Sequence, residues 1–284
     1  MASAIDLFRQ NDFMRYALVT GLMVGALCGY LGVYVVLKRI VFVGVALAEL
    51  STAGIALSLW AAATFHLAMD EHSPINTLGA VAAMMVGVLI FSVRWSSRKV
   101  PHESTIGVGY AIAGAAALLL MAHNARGEEH MRDLLFGNIL TVTTHDIEEF
   151  MTALVAVGLI HLLFAKEFLF TAFDPESAAA MGYRTRRWEI LFYLTLGITI
   201  AFAIRVSGIL LVFALLVMPP VTALLLTRRI KGAFAVSAVA GMLPIGVGLW
   251  FSYAADLPAA ATIVLISFLL MLAAGGVSMV RRMA

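Results

Sequence analysis

Apolar residues fall in blocks of about twenty along the chain, separated by short polar stretches. A helix rises about 1.5 Å per residue, so a block of that length crosses the roughly 30 Å hydrocarbon core of a bilayer. The pattern predicts spans over 14–37, 40–65, 77–94, 105–122, 147–166, 188–204, 207–227, 232–252 and 258–280. The expected fold is all-α: a polytopic integral membrane protein of eight to nine transmembrane helices, one domain over residues 1–284. "LLFGNIL" (134–140) is too short to span, and within the 123–146 loop it reads as a re-entrant or surface helix. Gly21, Gly25, Gly29 and Gly32 recur at three- and four-residue intervals, which lets neighbouring helix backbones approach closely.

Composition agrees with this pattern. Charged residues make up 13% of the 284 positions and hydrophobic ones 62%, against about a quarter charged in a water-soluble domain. The net charge of +2 says less than its distribution. Lys38, Arg39, Arg94, Arg98, Lys99, Lys166, Arg184, Arg186, Arg187, Arg228, Arg229, Lys231, Arg281 and Arg282 fall on one side of the predicted spans, 14 of the 19 basic residues. By the positive-inside rule that side is the cytoplasm. The other face carries Asp6, Asp12, Asp70, Glu71, Glu128, Glu129, Asp133, Asp146, Glu148, Glu149 and Asp256 against Arg9, Arg15, Arg126, Arg132 and Arg205, with His66, His72, His123, His130 and His145. An acidic mouth bearing imidazoles attracts cations and offers them ligands, with His130 a candidate. The single cysteine, Cys28, allows no internal disulfide.

One cytoplasmic stretch interrupts the apolar pattern: "FDPESAAAMGYRTRR", from Phe173 to Arg187. Asp174 is placed to cap a helix starting at Pro175, and Glu176 suits its positive end. Ala178, Ala179 and Ala180 favour helix, and Gly182 is suited to end it in the left-handed conformation. The 168–187 segment is expected to present a short surface helix with a nearly chargeless Ala-Met crown, shaped to fit a partner's groove.

Several chemistries find no support in the residues. No G-x-x-x-x-G-K-[ST] occurs, so the chain is not expected to hydrolyse ATP. No H-E-x-x-H pattern, nucleophile pair or nucleic-acid signature is present, and the protein reads as a non-enzyme. His161, near the inner end of the fifth span, reads as a hydrogen-bonded packing residue rather than a ligand.

Four motifs in order carry a family resemblance: "LKRIVFVGVALAELSTAGIAL" (37–57), "LLFGNILTVTTHDI" (134–147), "FDPESAAAMG" (173–182) and "SGILLVFALLVMPPVTALLL" (207–226). Together they resemble the manganese/zinc/iron permeases of metal-ion ABC importers over nearly the whole chain. The resemblance implies a type II ABC importer permease in a prokaryotic inner membrane, as a homodimer or a heterodimer with a second permease. Its partners would be two ABC ATPase subunits inside, an extracytoplasmic solute-binding protein outside and membrane lipid, with no nucleic acid. The substrate would be a divalent metal ion, with ATP used by the partner and no cofactor held covalently. The resemblance also implies that the 174–182 helix is the coupling helix, with Asp174, Pro175, Glu176, Ala179, Met181 and Gly182 forming the ATPase contact. A metal chelate as substrate, or an ATP-independent secondary cation transporter, are the alternatives.

The chain departs from the family where an Asp and a His, four residues apart on one helix face, supply the ion path. The aligned positions here are Val45 and Glu49. A mid-membrane carboxylate carries a cost of at least ~2.5–3.5 kcal/mol if unpaired, so Glu49 is expected to face a polar cavity. The hydroxyls of Ser51 and Thr52 are candidates to share it. Met218-Pro219-Pro220 is a second departure, open between a hinge and a simple kink.

Overall fold

The computed structural model describes residues 11–65, 74–92, 102–122 and 142–283. Among them lie ten helices: α1 (Asp12–Leu37), α2 (Val41–Thr64), α3 (Pro74–Ser92), α4 (His102–Met121), α5 (Thr144–Leu163), α6 (Ala165–Phe173), α7 (Pro175–Ala180), α8 (Thr185–Leu226), α9 (Ile230–Ala255) and α10 (Ala259–Met283). The described residues contain no strand. His130, Glu128, Glu129 and the 134–140 segment lie outside the described residues.

Among the described residues six helices are long and apolar enough to cross a membrane, or seven if the bent pair α5 and α6 is one span. The hydropathy pattern predicts eight to nine, and two local features bear on the difference. The expected spans 188–204 and 207–227 are two helices that meet at a kink without a loop, so α8, 42 residues long, counts once. Only Gly208 leaves helical geometry there, at φ 74 and ψ 163, a conformation essentially reserved for glycine. The fifth span breaks at Phe164, where α5 and α6 meet at 73°.

The chain forms two compact units. One is built mainly from α1, α9, α10, most of α5 and the second part of α8. Its centre is the α1–α9 pair, and the glycine stripe explains how closely the two approach. A Cβ at Gly25 would run into the Gly241 carbonyl, one at Gly241 into the Gly25 backbone, and one at Gly29 into the Ser237 carbonyl. Ser237 Oγ donates to the Gly29 carbonyl at 2.6 Å, so the seam has a polar stitch as well as packing. In lipid, such close packing stands in for the hydrophobic drive that holds helices together in water.

Helical geometry runs unbroken through Pro219 and Pro220; the break in α8 falls earlier, at Gly208. Pro220 has no N–H to offer the Leu216 carbonyl. That carbonyl lies directly over Gly32 of α1, where only a hydrogen replaces a side chain.

The other unit comprises α2, α3, α4, α6, α7 and the first part of α8. α2 packs against both α3 and α4. Gly54 and Gly79 leave each other room across the α2–α3 seam, and Ser58 Oγ donates to Asn76 Oδ1 at 2.8 Å nearby. Ala56, Ala117 and Met121 form the buried contact between α2 and α4. α4 keeps most of its outer face uncovered, with Ile112, Leu118 and Leu119 exposed. Such a surface suits lipid contact.

Candidate functional site

The sequence puts a capped helix at 174–182, and the structure forms α7 there. Asp174 Oδ1 accepts the Ser177 N–H at 2.9 Å, and Pro175 occupies the first turn. Hydrogen bonds from Ser177, the hydroxyl first and the backbone N–H second, hold the Asp174 carboxyl below its usual range. At the other end the Tyr183 N–H reaches the Ala178 carbonyl and the Gly182 N–H the Ala179 carbonyl, both at 3.0 Å. With Gly182 at φ 87, this is a Schellman ending. A helix of six residues would not hold in water alone; caps at both ends are what fix it.

Burial refines the expected crown. Ala178 is fully buried and anchors the helix, whereas Ala179, Ala180 and Met181 are exposed, Met181 at 70%. The outward face is therefore small and apolar, with Glu176 at its positive end. Beside it a cavity of about 540 Å³ is lined by Met181, Gly182, Tyr183, Arg184, Arg187, Trp188 and Leu191. Neither arginine has an ion pair among the described residues.

Behind α7, an aromatic cluster ties α6 to the start of α8. Phe164 and Phe168 both meet Trp188, with centroids 5.1 and 5.7 Å apart, and Phe170 meets Tyr183 at 5.5 Å. His161 is fully buried among them, its Nε2 2.9 Å from Thr195 Oγ1. The sequence marks it as a bonded packing residue, and the bond is there. Its partner, 34 positions away, could not be read from the sequence.

Glu49 lies on α2, eight residues from the start of that helix, or about 12 Å along it. It is 7% exposed. Its Oε2 sits 3.6 Å from where a Cβ on Gly114 of α4 would be, so the missing side chain makes room for the carboxyl. Among the described residues Glu49 has neither a hydrogen bond nor an ion pair. Val45, four residues earlier, offers the carboxyl no ligand companion.

Ser51 and Thr52 are both fully buried. Thr52 Oγ1 turns back to the Ala48 carbonyl at 3.2 Å, while Ser51 Oγ has no hydrogen-bond partner among the described residues. No group of three or more His, Cys, Asp and Glu side chains converges among the described residues. Among the described residues Glu49 is thus a lone carboxylate in a space cleared by a glycine.

A third feature was not assembled by sequence reading. Arg205 of α8 bonds Glu149 at 2.9 Å and stands 4.0 Å from Asp146, both on α5. Asp146 also receives the N–H and hydroxyl of Thr143, at 3.0 and 2.6 Å, in a capping box that starts α5. All three charged residues had been placed on the outer face; only the packing of α8 against α5 pairs them.

Comparison with known proteins places these features in context. The chain is 30% identical over 260 residues to a manganese transport system membrane protein MntC of Listeria monocytogenes, covering 91% of this chain and 88% of that one. It is 28% identical over 266 residues to a probable iron transport system membrane protein of Haemophilus influenzae, covering 93% and 89%. Its fold is similar to that of PsaBC from Streptococcus pneumoniae, solved in complex with a Fab, with a TM-score of 0.82 and 27% identity over 96% of this chain and 94% of that one. The profile of the ABC 3 transport family matches residues 10–278, and the chain belongs to that family.

Proposed function

We propose that this chain is the multi-pass inner-membrane permease of an ATP-driven importer for divalent metal ions of the manganese and iron class. α7 is the coupling helix that docks into an ABC ATPase subunit, and Glu49 lies on the ion path. The observation that carries the reading is α7 itself: a helix fixed at both ends, with Ala178 buried and Ala179 and Met181 turned outward. An exposed apolar crown on so short a helix suits a preformed groove on a partner. The relatives named for manganese and iron transport support the substrate class. Two permeases around one path, and a solute-binding protein at the acidic outer face, complete the assembly.

The test is Met181→Glu or Ala179→Glu, which places a charge on the docking face and leaves the spans untouched. Either variant should express and insert normally, lose manganese uptake and release the ATPase subunits on purification. A variant that co-purifies with its ATPase and transports at the wild-type rate would remove α7 from the interface.

A further inference from the structure

A short docking helix is useful only if its movement reaches the spans. α7 connects back to α5 through α6, and the α5–α6 junction is bent by 73° at Phe164. Such a break interrupts the hydrogen-bond ladder that stiffens a helix. A push on α6 would be absorbed by opening or closing the bend unless a third element holds it.

His161 lies in the last turn of α5, just before that break, and it is fully buried. One imidazole ring meets both other elements. Its face stacks on Phe168 of α6, with centroids 4.4 Å apart and planes 12° from parallel. Its Nε2 reaches Thr195 Oγ1 of α8 at 2.9 Å. Thr195 donates its one hydroxyl proton to the Phe192 carbonyl at 2.9 Å. The imidazole is therefore the donor in the shared bond, through its Nε2–H. A phenyl ring could keep the stack and a leucine could fill the space. Only a planar ring with a donor at its edge does both.

We propose that His161 is a positioning residue for energy coupling: it locks the α5–α6 elbow to α8, so that displacement of α7 moves α8 instead of being lost in the bend. The inference rests on the reading of α7 as the ATPase-docking helix.

The test uses the complete importer, with its ATPase and binding-protein subunits, in liposomes, reading manganese uptake and ATP hydrolysis from the same vesicles. His161→Phe keeps the stack without the donor, and Thr195→Val removes the acceptor. Both should hydrolyse ATP at close to the wild-type rate while ions moved per ATP fall about tenfold, the factor that one buried hydrogen bond commonly supplies. Thr195→Ser keeps the hydroxyl and should restore the ratio. The double variant His161→Phe/Thr195→Val removes donor and acceptor of this bond together, so it should regain thermal stability without regaining coupling. If His161→Phe fails to assemble, the Thr195 pair and the double variant still decide the matter. Wild-type uptake per ATP in Thr195→Val or in the double variant would overturn the proposal and leave His161 a packing residue. Met181→Glu in the same vesicles separates the two levels: if it retains the ATPase and full uptake, the docking reading itself has failed.

Discussion

Glu49→Gln should make the protein more stable and less active at once. The carboxyl is 7% exposed, sits about 12 Å along a membrane-spanning helix, and has no hydrogen bond or ion pair among the described residues. A carboxylate at mid-membrane depth costs about 2.5–3.5 kcal/mol on insertion scales. An amide of the same shape fits the space opposite Gly114 without that penalty. The stability gain is thus bounded at about 2.5–3.5 kcal/mol, a large change on the usual scale of point mutations. A side chain kept at such a cost is one whose removal should be felt in function. Thermal unfolding in nanodiscs should show a raised midpoint, and manganese uptake by the reconstituted importer should fall to a small fraction of wild type, with ATPase association intact. If Glu49 served a structural hydrogen bond, the amide would keep that bond and transport would stay near wild type. Wild-type uptake, or a lowered unfolding midpoint, would refute the reasoning.

Other outcomes follow from the packing and the caps. Gly241→Val drives a branched side chain into the Gly25 backbone and should cost at least about 2–3 kcal/mol, seen as loss of folded protein on size exclusion, whereas Gly275→Ala meets open space and should be neutral. Arg205→Ala removes the guanidinium that faces Asp146 and Glu149. After discounting for Glu149 being a third exposed, it should lower stability by about 2 kcal/mol, and Glu149→Gln in the same background should recover part of that loss. For Asp174 the folded-state value is depressed, so its cap is fully present above the ordinary carboxylate range and is lost as pH falls through the lowered value. Amide exchange at Ser177 should therefore quicken, relative to neighbouring loops, only on acidification below the usual range, and Asp174→Asn should abolish that pH dependence.

The sequence by itself determined what depends on local physics. Apolar blocks of helical span length fixed an all-α membrane fold, because no other segment geometry satisfies the backbone in lipid except a closed barrel. Asp174, Pro175 and Gly182 fixed α7 because a cap, a first-turn proline and a left-handed ending act within a few residues. The glycine stripe on α1 announced a close helix contact. It did not name α9 as the partner, since a missing Cβ specifies distance but not identity.

What tertiary structure decided was every pairing across long separations. Hydropathy cannot tell a loop from a kink: the two predicted spans are two helices that meet in α8 without a loop, where Gly208 takes a conformation closed to other residues. The prolines looked like the break, yet helical geometry continues through them, and the Leu216 carbonyl that Pro220 leaves without a donor lies over Gly32. Arg205 met Asp146 and Glu149, and His161 met Thr195, only when separate helices packed side by side. Glu49 was visible as an anomaly from its position alone. That it faces a gap left by Gly114 was decided by the packing of α2 against α4, because side-chain room is a property of two helices and not of one.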